Sequence, residues 1–247
     1  GKAGGKALVR KHGGRVIKDE KHRQKKWQEW WQKIGQYKPN PLYNPLPIKK
    51  PQYSPELAEF VGIMLGDGGI SKNQITVTSH RLDDKAYRKY VSRLIQKLFR
   101  VPIGVYHQRN ALADTIVVSR VNVVRFCVDQ LGLKRGNKLK QGLDIPPWVA
   151  SSSAYQTACL RGLVDTDGSV FTHRYRVRNK MYFYKKLSFC SRSLNLCLSV
   201  KKILDSLEIK SRLAGGQNVR IDGSKDMRKY FEIVGSHNPK HLKRYTA

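Results

Sequence analysis

Residues 60–66, Phe-Val-Gly-Ile-Met-Leu-Gly, are apolar on every face of a helix. Such a helix must be covered on all sides, yet the run is far shorter than the roughly 18 residues a membrane span needs. A companion run, Leu160-Arg161-Gly162-Leu163-Val164-Asp165-Thr166, follows 100 residues later. Gly62 and Gly66 in the first run, and Gly162 and Thr166 in the second, place small residues four apart on one side. That spacing lets two helix backbones approach closely, so each run can pack against the other.

The surrounding pattern also occurs twice. Apolar spacing predicts a helix over 55–66, a strand near 74–80, a helix over 82–99, strands near 103–108 and 114–119, and a helix over 121–131. The second copy runs as helix 153–166, strands 170–178 and 181–189, helix 193–207, strands 209–214 and 217–222, and helix 225–234. An offset this long implies two similar domains rather than a solenoid. Leu143-Asp144-Ile145-Pro146-Pro147-Trp148 joins them, its prolines stopping any continuous helix. The expected domains are 51–142 and 143–247, preceded by residues 1–50 as a basic arm with 14 Lys and Arg against three acids. In that arm, Lys21 to Ile34 reads as a helix with Trp27, Trp30, Trp31 and Ile34 on one face. The stretch from Pro39-Asn40-Pro41 to Pro45-Leu46-Pro47 reads as a stiff linker.

Composition narrows the partner. With 48 Lys and Arg against 18 Asp and Glu in 247 residues, the formal charge is +30, far more than solubility or an acidic metabolite requires. Nucleic acid is the expected partner, not a membrane. Cys127, Cys159, Cys190 and Cys197 form no CxxC pair and read as reduced core residues. Seven scattered His offer no zinc spacing. With no apolar span and no secretory leader, a soluble protein of the cytoplasm or an organellar matrix is expected, and a first residue Gly1 rather than Met suggests a trimmed chain.

Each apolar run ends in an acid and a glycine, Asp67-Gly68 and Asp167-Gly168. One Asp-Gly is ordinarily a helix-to-turn signal. Two at equivalent positions of helices built to pair bring carboxylates together at the negative ends of two helix dipoles, an arrangement that repels itself. A divalent cation removes that cost, and two carboxylates with helix-end carbonyls suit Mg²⁺.

Phe60 to Ile70 and Leu160 to Val170 resemble two copies of the LAGLIDADG motif of homing endonucleases, the second more closely. The resemblance covers residues 55–240 in motif and element order. It implies an α+β fold: two αββαββα domains related by a pseudo-twofold axis, motif helices at the interface, and two sheets forming a saddle over the DNA major groove. The last acids, Asp67 and Asp167, are metal ligands by resemblance, with the carbonyls of Gly66 and Thr166 beside them. Leu65 replaces the less critical first Asp in the first copy, so no catalytic loss is expected. Mg²⁺ is the implied ion, with Mn²⁺ substituting and Ca²⁺ binding without supporting cleavage.

Several strands alternate as base-reading strands do. Arg174, Arg176 and Arg178 fall on one face opposite Tyr175 and Val177, a row of like charge that phosphates or guanines would relieve. Gln74, Thr76 and Thr78, with His80 after them, alternate with Ile75 and Val77, and Asn218 and Arg220 alternate with Val219 and Ile221. Lys185, Lys186, Lys210 and Arg212 are expected at phosphates. For the basic and water-ordering residues the family places around its metals, the candidates are Arg120 and Lys225 at strand-to-helix junctions, with Ser79, His80, Ser191 and Arg192 at strand ends.

The expected function is site-specific, metal-dependent double-strand cleavage of a long asymmetric DNA target, as in intron homing, by a monomer. The alternative is an RNA maturase or DNA-binding regulator on the same scaffold, with host intron RNA as a further partner. His237-Asn238 resembles the end of a splicing domain, but Pro239 follows. Residues 237–241 therefore read as a helix end and tail, and the chain as a free-standing endonuclease.

Overall fold

A computed structural model describes residue 10, residues 20–38 and residues 45–247. Pro39, Asn40 and Pro41 of the linker reading lie outside the described residues. Contacts divide the chain into two units, Gly1–Leu46 and Pro47–Ala247.

In the first unit, α1 (Glu20–Lys33) is followed by a 3-10 turn, Gly35–Tyr37. The predicted tryptophan face forms: Trp27 and Trp31 stack at 5.8 Å, and Trp30 tilts against Trp31 at 6.4 Å.

The second unit contains the repeated pattern. Its first half is α2 (Pro55–Leu65), β1 (Gly68–Ile70), β2 (Ile75–His80), α3 (Lys85–Phe99), β3 (Gly104–His107), β4 (Ala113–Val118) and α4 (Val121–Arg125), which runs on into a π turn, Phe126–Gln130. The second half is α5 (Ser153–Asp167), β5 (Gly168–Val177), β6 (Lys180–Cys190), α6 (Leu194–Ser206), β7 (Arg212–Ala214), β8 (Asn218–Ile221), α7 (Ser224–Ile233) and α8 (Pro239–Thr246). Both sheets are antiparallel and have the same strand order, β1-β2-β4-β3 and β5-β6-β8-β7. Each half is thus αββαββα. Strand β1 escapes the sequence reading because three residues, two of them Gly, present no alternation. The expected tail is instead the helix α8: the Asn238 side chain accepts from Lys240 N at 3.1 Å, and Pro239 occupies its first turn, where a missing N–H costs nothing.

One face of each sheet packs on helices. Val91, Ile95 and Leu98 of α3 lie with Ile75, Val77, Ile116 and Val118 in the buried core, and Val200 and Leu204 of α6 with Leu187, Phe189, Val219 and Ile221. Between the halves α2 and α5 run side by side, and α2 is buried from Leu57 to Leu65. Ser54 caps α2 by accepting from Leu57 N at 3.2 Å. The approach depends on glycine: a Cβ on Gly62 would lie 2.2 Å from the Cys159 carbonyl, and one on Gly162 would lie 2.3 Å from the Glu59 carbonyl. Cys127, Cys159 and Cys197 are free and buried, whereas Cys190 is exposed at the end of β6, a correction to its reading as a core residue. Among the described residues no helix is long and apolar enough to cross a membrane.

Candidate active site and nucleic-acid interface

Because α2 and α5 run in the same direction, their carboxyl ends meet. A Cβ on Gly66 would lie 2.0 Å from Thr166 Oγ1 and 3.2 Å from Asp167 Oδ2. Asp67 follows immediately, with its carboxyl pushed up to about 7 by burial first and then by the charge of Asp167. Burial also raises Asp167. Lys138, in the connector between the halves, opposes both shifts: its ammonium donates to the Leu65 carbonyl at 3.0 Å and to the Gly66 carbonyl. Burial lowers the pKa of Lys138, while Asp167 and Asp67 favour its charge. The Thr166 hydroxyl turns back onto its own helix, donating at 2.9 Å to the carbonyls of Gly162 and Leu163.

Two carboxyls, one of them raised by the other's charge, and helix-end carbonyls already drawing an ammonium form a hard-oxygen donor set that fits a divalent cation. The raised carboxyl has a measurable cost. A folded-state value near 7 against 3.8 means that the folded chain holds this proton more tightly, so stability falls as pH rises from about 4 through about 7. Asp67→Asn removes that cost. In differential scanning calorimetry without metal, the variant is expected to match the parent below about pH 4 and to melt on the order of 5 °C higher at about pH 8.

A second acidic cluster lies along the same helices. Glu59 accepts from Tyr90 Oη and Arg161 at 2.7 and 3.1 Å, and its carboxyl lies 2.7 Å from His237 Nδ1. Asp165, at the first-acid position of the second motif, accepts from Ser236 Oγ at 2.5 Å and from His237 N at 2.8 Å. Glu59, Asp165 and His237 bring ligand-type atoms within 4.8 Å of one another, but Arg161 and the hydrogen-bond donors already satisfy them. The cluster fastens the segment before α8. From that segment Asn238 Nδ2 donates to the Asp165 carbonyl at 3.0 Å and to Asp84 at 3.2 Å, and in α8 itself Lys240 pairs with Asp84 at 2.8 Å. Asp84 and Lys240 also act on Asp67, with opposite signs.

Beside Asp167 a cleft of about 500 Å³ is lined by Lys138, Cys190, Ser191, Arg192 and Asn195 among others. Ser191 and Arg192 therefore border an acid, as their strand-end position suggested. His80, the counterpart of Arg192, donates its N–H to Asp84 at 3.2 Å, and its Nδ1 lies 3.4 Å from Asp83. Ser79 Oγ is buried.

The junction candidates follow β4 and β8. Arg120 follows Val118, which pairs with Ile75, whereas Asp67 joins the sheet where Gly68 pairs with Val77. Lys225 follows Ile221, opposite Leu187, two rungs along β6 from Phe189, which pairs with Gly168. In each half the last paired residue before the junction lies two rungs from the glycine that follows the motif acid, so Arg120 and Lys225 remain candidates for the basic role. Lys138 escapes sequence reasoning because its connector has no periodicity.

Strand register sorts the interface candidates. Thr76 and Thr78 occupy the sheet face opposite the core, with Gln74 just before β2 and the Thr78 and Thr115 hydroxyls 3.0 Å apart. Asn218, Arg220, Lys186 and Arg212 occupy the corresponding open face of the second sheet. Lys186 and Arg212 bracket Asp222 at 2.9 and 2.6 Å. Lys210 precedes β7, its backbone N–H donating to Asp226 at 2.9 Å.

The arginine row is corrected. Counting from buried Val170, paired with buried Leu187, places Arg174 and Arg176 on the core side of the ribbon, together with Lys185. Arg178 lies beyond the strand in the turn, at φ 51°. The open face instead carries His173, Tyr175, Tyr182 and Tyr184, with Tyr175 stacked at 5.3 Å on Tyr182 and 5.6 Å on Tyr184. The alternation was legible, but its phase is set by where Gly168 enters the sheet.

Residues 154–243 match the family described as LAGLIDADG-like domain. The chain carries a LAGLIDADG-like domain. Among solved structures, a variant of the meganuclease I-SmaMI is similar with a TM-score of 0.53 at 10% identity, over 78% of this chain and 89% of that one. The homing endonuclease I-DmoI in complex with DNA and Ca is similar with a TM-score of 0.51 at 14% identity, over 78% and 98%. These likenesses show a shared fold over 78% of the chain. The replication factor C small subunit of Methanocaldococcus jannaschii is 34% identical over 144 residues, which is 57% of this chain and 7% of that protein's length.

Proposed function

We propose that the chain is a site-specific DNA endonuclease making metal-dependent double-strand breaks in a long asymmetric target. The observation that carries this reading is the pair Asp67 and Asp167, half-buried together at the ends of two close-packed helices with Lys138 against them. Residues 51–142 and 143–247 are read as the two LAGLIDADG domains, each addressing one half of the target, and residues 1–50 as a basic arm. The differing open faces imply a target without twofold symmetry. Thr76 and Thr78 on one face, and Arg220, Lys186 and Arg212 on the other, offer hydroxyl, guanidinium and ammonium groups to base edges and phosphates in the major groove. Lys138 holds positive charge where the scissile phosphates would enter, and Arg192 places a second cation beside Asp167.

Asp67, Asp167 and the carbonyls of Gly66 and Thr166 are the residues that would hold Mg²⁺. When bound, the ion supplies Lewis acidity toward phosphate and a water of lowered pKa. The homing endonuclease I-DmoI has been solved in complex with DNA and Ca, which supports the use of a divalent cation. The test is cleavage of plasmids carrying a target library. Cutting is expected in Mg²⁺ or Mn²⁺, binding without cutting in Ca²⁺, and no cutting in EDTA. Cutting that survives EDTA would overturn the metal assignment, and binding without cutting in every ion would overturn the nuclease.

A further inference from the structure

The hairpin of β5 and β6 has two nucleic-acid-like faces, and the interface described above uses one. In the first half the equivalent ribbon is short, with only three residues in β1. In the second half β5 has 10 residues and β6 has 11, so the ribbon continues well past the part that covers the core. Its core-side face changes character along its length. At the root, Val170 and Leu187 are buried. Next, Lys185 Nζ donates to Thr172 Oγ1 at 3.1 Å and to the Arg244 carbonyl of α8 at 2.9 Å. Beyond that contact the face is exposed and carries Arg174, Arg176, Met181 and Phe183, with Phe183 59% accessible and Met181 45%. The Arg174 guanidinium lies 5.7 Å from the centre of the Phe183 ring. No Asp or Glu occurs between Asp167 and Asp205, so no acid on the ribbon itself neutralises these cations.

An apolar ring as exposed as Phe183 is poorly matched to water, and its cationic surroundings are poorly matched to an apolar protein partner. Arg174 and Arg176 stand about 7 Å apart along the strand, a step suited to successive phosphates of an extended polynucleotide. A duplex hides the faces of its bases and would leave Phe183 without a partner, whereas an unpaired strand offers both bases to stack and phosphates to pair. We propose that the core-side face of the β5–β6 hairpin, built on Arg174, Arg176 and Phe183, is a second nucleic-acid surface that takes an unpaired strand. The surface is separate from the tyrosine-lined open face and independent of cleavage. A duplex on the open face and a single strand behind the hairpin could therefore be held together.

The test uses the full chain in EDTA, so that cleavage has no part in it. Fluorescence anisotropy of a labelled oligothymidylate of roughly 20 nucleotides is measured with and without saturating unlabelled duplex. The oligonucleotide is expected to stay bound in the presence of duplex. Phe183→Ala, and separately Arg174→Ala with Arg176→Ala, should each weaken it about tenfold while duplex affinity stays within about twofold. Phe183 is exposed, so its replacement leaves the core intact. Full displacement of the oligonucleotide by duplex, unchanged oligonucleotide affinity in both variants, or equal losses for both ligands would overturn the proposal.

Discussion

Asp67→Asn and Asp167→Asn should each abolish double-strand cleavage, lowering the rate by at least ~10³-fold, or about 4 kcal/mol of transition-state stabilisation. Both should still bind the target. The asparagine keeps the shape of the side chain but removes a charge that the neighbouring acid and the incoming phosphates both oppose, so affinity should hold or improve. Single-turnover kinetics beside a gel shift separates the two quantities. A variant that loses binding in proportion to cutting would mean that the acids organise the fold of the interface rather than its chemistry. Asp165→Asn provides a contrast. Its carboxylate is committed to Ser236 and to the backbone of His237, so its loss should act through stability and the placement of α8.

The second large effect is expected at the helix pair. Gly162→Ala places a carbon 2.3 Å from the Glu59 carbonyl, where the obstacle is backbone and cannot rotate away. The helices must separate or bend, and overpacking against a rigid neighbour at a fully buried seam should cost about 3 kcal/mol or more. The melting temperature should fall by roughly 10 °C. Gly62→Ala meets the Cys159 carbonyl in the same way and should behave alike. Gly104→Ala is the control: the nearest atom to its Cβ is 3.8 Å away, and its effect should stay within about 1 kcal/mol. Separating the helices also moves Asp67 from Asp167, so the surviving fraction of Gly162→Ala should cut slowly. If both motif glycines tolerate alanine as Gly104 does, the close packing is not what holds the halves together.

Much of this architecture is legible in the chain because the fold repeats. Two apolar runs with small residues four apart, each ending in Asp-Gly, determine the helix pair and the meeting of the acids before any tertiary contact is known. What escapes depends on phase and on irregular backbone. The alternation of Arg174 and Arg176 with Tyr175 is plain, but which set faces outward follows from counting two by two from Gly168, and a single step reverses it. Lys138 acts from a connector with no period, brought to the Leu65 and Gly66 carbonyls by the path of the chain between the halves. Helix α8 was signalled by Asn238 and Pro239, a cap and a first-turn proline, although its eight residues are too few for periodicity to show. Asp165 occupies a motif position yet serves as an anchor, a role set by Ser236 and His237 some seventy residues later in the chain.

The most direct measurement is cleavage of a randomised duplex pool by the unmodified chain in Mg²⁺, with both ends of every product sequenced. Cuts in both strands are expected at a fixed stagger within one motif that lacks twofold symmetry, and none once the metal is chelated. A symmetric motif would contradict two unlike halves reading one site. A pool enriched by binding yet left uncut would contradict the assignment of Asp67 and Asp167 to phosphodiester hydrolysis.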